Sequence, residues 1–236
     1  MPPADKERTM AWGTGASWRR DTRPGVLVIM FGLAIVGFGA LWAMLMLLPS
    51  LISLDHTLSA AIRSLAQPTL DAIAVVFTTL GGFAIMGSLS VAVCAWLLWR
   101  GLRPEAALFA GTMTLGPALG ELVKALAGRE RPPLEFARIV PPTNLSFPSG
   151  HALAAFLFFG TIVFLLFTVD ETLSLRTKAI VSAICVLFAI AISMSRVYLG
   201  VHYLADVVGG WLLGGAVMTF TVGLYISVTS GRTSGR

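Results

Sequence analysis

The sequence predicts an all-α integral membrane protein: a six-helix bundle with an interfacial helix between the first and second spans. Hydrophobic residues make up 56% of the 236 residues and charged residues only 12%, whereas a typical soluble domain has about 25% charged residues. The apolar residues also fall into runs of about 20, the length that a helix needs to cross a bilayer. A water-soluble globule is therefore excluded, and we expect one membrane domain.

The predicted spans are six apolar runs, at residues 25–48, 80–99, 104–126, 150–169, 178–195 and 205–228. The first run is too long for the roughly 7–15-residue core of a signal peptide, so we expect it to be retained. The stretch from Leu51 to about Thr79 is too polar to cross and apolar on one side, which favours a helix lying along the membrane surface. Its polar breaks are Asp55, His56, Arg63, Pro68 and Asp71.

The positive charges predict the orientation. If the N-terminus is cytoplasmic, eleven Lys and Arg residues lie inside and six outside, which agrees with the positive-inside rule. The expected organisation is a cytoplasmic tail at 1–24, a six-span domain at 25–228 with its functional core at about 104–210, and a cytoplasmic tail at 229–236. The charged clusters described next then all lie on the non-cytoplasmic side.

Three polar clusters interrupt the apolar sequence. They are Lys124 with Arg131-Pro132, then Pro148-Ser149-Gly150-His151, then Ser195-Arg196 followed by His202 and Asp206. Charge in or beside a bilayer is costly and usually marks a functional site. Three cations, two histidines and one carboxylate indicate a pocket that binds a phosphate group and attacks it.

The three cations can reach one anion. Lys124 lies near the end of the third span, and Gly128 and Pro132 then break the helix, so that the chain can fold back and bring Arg131 beside it. Arg196 comes from a different span. A guanidinium pairs with two phosphate oxygens at once, whereas a lysine acts as a point charge. A single cation here would be an interfacial anchor, but three beside histidines favour an anion site.

The second cluster opens the fourth span. The first turn of a helix offers unpaired N–H groups and the positive end of the helix dipole, which suit a phosphate. Gly150 lets an anion approach the backbone. The Ser149 hydroxyl either donates to the anion or caps the helix, and we expect elements of both.

The third cluster pairs an imidazole with a carboxylate. His202 and Asp206 are four residues apart and share one helical face, so the pair could also be a purely structural contact. Beside Arg196 and His151, the functional interpretation is favoured. Asp206 would fix the tautomer of His202 and stabilise its positive charge as it attacks phosphorus. His151 would protonate the leaving oxygen and then activate water.

These motifs resemble those of a known family. Lys124-x6-Arg131-Pro132, Pro148-Ser149-Gly150-His151 and Ser195-Arg196-x5-His202-x3-Asp206 match, without a departure, the signature of the type 2 phosphatidic acid phosphatase superfamily, over roughly residues 50–228. The resemblance implies a helical core, no catalytic metal, no cofactor and a phosphohistidine intermediate. It implies a nucleophile at His202, an acid at His151, an orienting carboxylate at Asp206, and a phosphate cradle formed by Lys124, Arg131, Ser149, Gly150 and Arg196.

The function expected from these observations is a membrane lipid phosphatase. Its substrate would be phosphatidic acid, phosphatidylglycerol phosphate, an isoprenoid diphosphate or a lipid A type molecule. The alternative is a phosphotransferase that passes the phosphoryl group to another lipid or a sugar hydroxyl, and the residues do not separate the two. An intramembrane protease using Ser149 and a non-catalytic channel or transporter are less favoured. The expected partners are membrane lipids and the lipid phosphate, not nucleic acid, and an oligomer is not indicated.

The expected location is a bacterial cytoplasmic membrane, with the site facing the periplasm or exterior. The glycines at 209, 210, 214 and 215 favour close helix packing within the monomer over a dimer contact. Glu121 could pair with Lys124 or with another polar group. His56 has no carboxylate in helical register and is interpreted as a surface histidine. The proline-rich loop 133–147 is expected to form the rim of the pocket.

Overall fold

The structure, a computed structural model, describes residues 24–169 and 172–230. Its eight α-helices, α1 to α8 in chain order, are Pro24–Leu47, Pro49–Arg63, Pro68–Leu80, Phe83–Trp99, Arg103–Ala127, Gly150–Thr168, Leu175–Tyr198 and Leu204–Ser230. A single 3-10 turn covers Leu134–Phe136. The prediction of an all-α fold is confirmed. The two predicted tails lie almost entirely outside the described residues.

Each predicted span corresponds to one helix, and the bounds differ by at most three residues. Five helices (α1, α5, α6, α7 and α8) are long and apolar enough to cross a bilayer. The remaining one, α4, is apolar but has 17 residues, slightly fewer than the usual minimum of about 20. The agreement follows from hydropathy, because a long apolar run in lipid must satisfy its backbone hydrogen bonds internally and so becomes a helix.

The predicted interfacial helix consists of two helices in the structure. α2 and α3 meet at an angle of 115°, and together they are apolar enough to count as one bent span. Pro68 stands at the start of α3, where its missing N–H costs nothing, whereas it would break a continuing helix. α3 packs against α7, and α2 contacts both α7 and α8. The bent pair therefore lies against the end of the bundle where the polar clusters lie.

The helix α6 is the centre of the bundle, since it packs against α5, α7 and α8. Its Leu157 and Phe158 are buried, and Phe158 meets Phe109 of α5 edge to face with the ring centroids 5.5 Å apart. α1 packs along α8, and α4 along α5. This packing holds the N-terminal end of α6, which carries the second polar cluster, between the helices that carry the other two.

Close approach of α8 to α6 depends on glycine. A Cβ atom on Gly210 would lie 2.9 Å from the carbonyl oxygen of Ser149, and one on Gly214 would lie 2.8 Å from Phe156. Real Cβ contacts are essentially never this short, so larger residues would push the helices apart. The prediction that these glycines serve packing within the monomer is confirmed at both positions.

Four helix ends meet at one end of the bundle: the C-terminal ends of α5 and α7 and the N-terminal ends of α6 and α8. α5 ends at Gly128, which has a φ of 62°, so the predicted break at this glycine is confirmed. The turn between α7 and α8 contains Gly200, with a φ of 74°. A Cβ atom there would lie 1.9 Å from the carbonyl oxygen of Phe136, so only glycine lets the loop 128–149 pack against this turn.

Candidate active site

The four helix ends enclose the head of a cavity of about 760 Å³. Six of the eight site residues predicted from the sequence line it: Lys124, Arg131, Gly150, His151, Arg196 and His202. They come from α5, the loop after it, α6, α7 and the turn before α8. Ser149 and Asp206 do not line the cavity and are fully buried behind its wall. The structure thus brings the three polar clusters together, while the role of each residue stays a prediction.

The three cations of the cradle differ in how the protein holds them. The Lys124 ammonium donates to Oε1 of Glu121, one turn earlier on α5. Arg131 donates through Nη1 to the carbonyl of Val201 at 2.8 Å. Arg196 donates through Nη1 to Oγ1 of Thr78, and its buried Nε has no hydrogen-bond partner in the described part of the chain.

Hydrogen bonds fix the tautomer of His202. Nη1 of Arg131 lies 2.9 Å from Nε2 of His202, and a guanidinium can only donate, so Nε2 is the acceptor and carries the lone pair. Nδ1, which then carries the proton, faces Oδ2 of Asp206 at 3.2 Å. Nε2 therefore lies on the side of Arg131 and the cavity. This is the arrangement that a nucleophilic imidazole requires.

The surroundings of His202 also keep it neutral. Burial lowers the pKa of His202 from 6.5 to about 4; Asp206 opposes this shift, whereas the nearby Arg131 and Arg196 add to it. At neutral pH the ring is therefore neutral, with its proton on Nδ1, and Nε2 carries a lone pair that here accepts from Arg131.

Behind the ring, Asp206 accepts hydrogen bonds on both oxygens. Oδ2 accepts from the Ser146 hydroxyl and from the backbone N–H of Tyr203 at 2.9 Å, besides facing His202. Oδ1 accepts from Nη1 of Arg129 at 2.7 Å. A buried carboxylate is costly unless its lone pairs are satisfied, and here three donors and the imidazole satisfy them. The carboxylate is thereby held in one orientation towards His202.

Arg129 connects this carboxylate to the bent pair α2–α3. Its Nη2 lies 2.6 Å from Oδ2 of Asp55, and Oδ1 of Asp55 accepts from the backbone N–H of Ala205 at 2.9 Å. The hydroxyl of Ser59 likewise accepts from Leu204 at 2.9 Å. The free N–H groups at the start of α8 are thus capped by side chains from α2.

Sequence reasoning missed this network. From the sequence, Arg129 was only counted among the charges outside the membrane, and Asp55 was only named as a polar break in the interfacial stretch. Ser146 was not assigned to any site. The signal that could have found the first two is the cost of charge beside a membrane, which implies that an Arg and an Asp next to apolar runs need partners. The partners themselves could not be read from the chain, since Arg129 lies 74 residues from Asp55 and 77 from Asp206.

His151 is held by the end of α3 and the residues after it. Its ring lies beside the backbone of Thr78, the residue whose hydroxyl accepts from Arg196. A Cβ atom on Gly81 would lie 3.1 Å from the His151 ring and 2.3 Å from Ile192. The bent pair α2–α3 thus supports both histidines. The end of α3 lies against His151, and α2 holds the carboxylate behind His202 through Asp55 and Arg129.

Ser149 caps α6, which is one of the two roles expected for it. Its hydroxyl accepts from the backbone N–H of Ala152 at 3.5 Å, and its own N–H donates to the carbonyl of Asp206 at 2.9 Å. Its predicted donation to a phosphate stays a prediction. A Cβ atom on Gly150 would lie 3.4 Å from Nζ of Lys124, so the backbone of this glycine lies close to the lysine ammonium.

The two residues left open by the sequence have partners. Glu121 pairs with Lys124 and also lies 3.4 Å from Nδ2 of Asn144. His56 is exposed and stacks on Tyr203, with ring centroids 4.5 Å apart. Tyr203 in turn lies under the guanidinium of Arg129.

Beyond the cradle, the cavity continues as an apolar groove between α4 and α5. Apart from the hydroxyls of Ser90 and Thr114, its lining on these helices is apolar: Phe83, Met86, Gly87, Val91, Cys94, Ala95, Leu98, Ala110, Met113 and Pro117. From Ala110 to Lys124 the groove follows α5 for about 21 Å at 1.5 Å per residue. It thus leads from the charged end of the bundle into the region of the spans. No three His, Cys, Asp or Glu side chains within 24–169 and 172–230 are grouped to hold a metal ion.

Comparison with known proteins agrees with this architecture. The family model "PAP2 superfamily" matches residues 105–228, more than half of the chain. The chain belongs to the PAP2 superfamily. It is 34% identical over 167 residues to phosphatidylglycerophosphatase B of Bacillus subtilis strain 168, which covers 69% of this chain and 78% of that protein. It is also 34% identical over 111 residues to undecaprenyl-diphosphatase of Sulfolobus acidocaldarius, covering 44% and 47%.

Two solved structures share the PAP2 fold seen here. The crystal structure of the transmembrane PAP2 type phosphatidylglycerolphosphate phosphatase from Bacillus subtilis matches with a TM-score of 0.75 and 29% identity, over 82% of this chain and 94% of that one. Aquifex aeolicus LpxE matches in fold, with a TM-score of 0.54 and 21% identity over 72% and 94%. The predictions of the family, of a multi-pass membrane protein and of a phosphatase are confirmed.

Proposed function

We propose that this PAP2 protein hydrolyses the terminal phosphate of a membrane lipid through a phosphohistidine on His202. The observation that carries the proposal is the position of Nε2 of His202. Its lone pair lies 2.9 Å from Arg131, at the head of a cavity with three cations and an apolar groove below them. A lipid phosphate has the matching halves, an anionic head and an apolar tail.

The cradle would bind the phosphate before attack. Lys124, Arg131 and Arg196 neutralise its charge, and the N–H groups at the start of α6 donate to its oxygens. Arg196 lines the cavity, and its buried Nε has no protein acceptor among the described residues. Such fixed donors stabilise the charge that builds up on the phosphoryl oxygens in the transition state.

The reaction would then proceed in two steps. Nε2 of His202 attacks phosphorus, the bond from phosphorus to the lipid oxygen breaks, and His151 gives that oxygen its proton. Asp206 stabilises the positive charge on His202 through the Nδ1 proton. In the second step His151 removes a proton from water, which attacks phosphorus and releases inorganic phosphate. His202 and His151 thereby return to their starting states.

The similarity to phosphatidylglycerophosphatase B and undecaprenyl-diphosphatase supports a lipid phosphate as the substrate. The orientation we propose, with the site outside a bacterial cytoplasmic membrane, rests on the charge count of eleven against six. Val140, 93% exposed in the loop 128–149, gives a test of it. A cysteine placed there should react with a membrane-impermeant thiol reagent in intact cells, and labelling only after cell lysis would contradict this orientation.

The decisive experiment measures phosphate release by the purified protein from a panel of lipid phosphates, with and without an acceptor lipid. His202→Ala should lower the rate by at least about a thousandfold, since it removes the nucleophile. His56→Ala is the matched control, because His56 lies outside the cavity, and it should keep most of the activity. Full turnover by His202→Ala would refute the phosphohistidine. Transfer of phosphate to the acceptor lipid instead of water would identify a phosphotransferase.

A further inference from the structure

The cavity wall next to the cradle carries one carboxylate, Glu121. Its side chain is 61% exposed, whereas that of its partner Lys124 is 7% exposed, and both line the cavity. Glu121 belongs to α5, a helix long enough to span the bilayer, where a charge is costly and usually functional. A salt bridge with Lys124 uses one of its oxygens. The carboxylate therefore keeps acceptor capacity open to whatever enters the cavity.

Asn144 links Glu121 to the cradle. Its Oδ1 accepts from Nη2 of Arg131 at 2.7 Å, and its Nδ2 lies 3.4 Å from Oε2 of Glu121. Asn144 also lines the cavity. An amide and a carboxylate thus stand side by side next to the cations that would hold the phosphate.

The position of Glu121 along α5 decides which part of a ligand it meets. It precedes Lys124 by one turn and follows Pro117 and Gly120, which line the cavity on the side of the apolar groove. Glu121 therefore lies between the cradle and the apolar groove. The chemical group that joins a bound phosphate to its lipid tail has to pass this carboxylate.

We propose that Glu121 and Asn144 form a headgroup subsite that selects a phosphomonoester whose linking group carries an uncharged hydroxyl, over a diphosphate. This inference rests on the proposed function. A carboxylate accepts a hydrogen bond from a hydroxyl, and Asn144 can donate or accept one. The inner phosphate of a diphosphate would instead bring a negative charge close to the Glu121 carboxylate, and like charges repel.

Two substrate pairs in mixed micelles test this selection. One pair is a prenyl diphosphate and the monophosphate of the same prenyl chain; the other is phosphatidylglycerol phosphate and phosphatidic acid. For Glu121→Gln, the ratio of kcat/KM for diphosphate to monophosphate should rise about tenfold, because the repulsion is lost. The ratio for phosphatidylglycerol phosphate to phosphatidic acid should fall severalfold. Glu135→Gln, the same change at an exposed residue outside the cavity, should alter neither ratio.

An equal change of kcat/KM on all four substrates would overturn the subsite, because it would mean that Glu121 only orients Lys124. Asn144→Ala, which leaves the pair of Glu121 and Lys124 in place, gives a second measurement. It should lower the ratio for phosphatidylglycerol phosphate to phosphatidic acid, and an unchanged ratio would count against the subsite. Failure of the proposed function looks different, since the unmodified protein would then release phosphate from none of the four lipids.

Discussion

The two sides of the His202 ring differ in how far the protein neutralises and hydrogen-bonds the charged groups there. Behind it, the carboxylates of Asp206 and Asp55 are 0% and 4% exposed, and each of their four oxygens accepts a hydrogen bond from the protein. In front of it, the cavity lining holds three cations and, among the described residues, one carboxylate, that of Glu121, which pairs with Lys124. The rear is closed and satisfied, whereas the front carries excess positive charge.

This difference separates positioning from binding. A buried polar network in which every group has a partner is held in one arrangement, so the rear can fix the orientation and tautomer of His202. Positive charge that the protein leaves unbalanced is available to an anion. We therefore expect changes at the rear to affect stability and turnover together, and changes at the front to affect mainly the use of substrate.

The largest effect should follow from breaking the rear at Arg129. Arg129→Gln leaves Asp55 and Asp206 buried without their cation, which costs about 3–5 kcal/mol of unfolding free energy. Lys124→Gln at the front should cost less than about 1 kcal/mol, because its partner is largely exposed, while kcat/KM falls about 10- to 100-fold. Thermal unfolding in detergent and phosphate release measure the two quantities. Equal destabilisation by both variants would remove the contrast between the two sides.

An intermediate effect should appear in the pH dependence. Because burial and two arginines lower the pKa of His202 to about 4, phosphoenzyme formation should persist well below pH 6.5 and fall as the pH drops through about 4. As the pH falls, the unfolded chain binds this proton at a higher pH than the folded chain does. The part of the unfolding free energy that depends on His202 is therefore fully present above about pH 6.5 and is lost as the pH falls from there to about 4.

Arg131→Gln sharpens the pH test, because it removes one of the cations that lower the pKa of His202. The acidic limb of phosphoenzyme formation should then move to higher pH. Asp206→Asn removes the carboxylate that raises this pKa, so the limb should move the other way. Rapid quench of labelled phosphoenzyme across pH measures both shifts. Identical limbs in the two variants would show that the front and rear charges do not act on His202.

The smallest effect should come from Ser146→Ala. It removes one donor from Oδ2 of Asp206 and leaves the bonds from Tyr203 and Arg129 in place. Because these two bonds still orient the carboxylate, we expect the loss to stay near the lower end of the roughly 1.5–3 kcal/mol that a hydrogen bond to a charged group contributes, so kcat should fall about tenfold with KM little changed. Ser64→Ala, at an exposed serine on the C-terminal side of α2, is the control. A rise in KM alone would place Ser146 at the front instead.

The sequence predicted most of the fold because hydropathy acts locally. Each predicted span has its helix, and Gly128 ends α5 as expected. The stretch between the first two spans was predicted as one helix, and its division at Pro68 into two helices at 115° appeared only in the structure. An amphipathic pattern indicates which face of such a segment is apolar, but the angle at a break depends on what the two helices pack against.

The residues at the head of the cavity could be named from the chain because their spacing forms a recognisable signature. Their surroundings could not. Asp55, Arg129 and Ser146 gain their meaning from Asp206, and the separations of 60 to 77 residues between direct partners carry no local pattern. What the sequence alone determined is the set of spans and the chemistry available at one end of them. Only the tertiary structure decided which charges neutralise each other and which stay open, because that depends on distances between helices rather than along the chain.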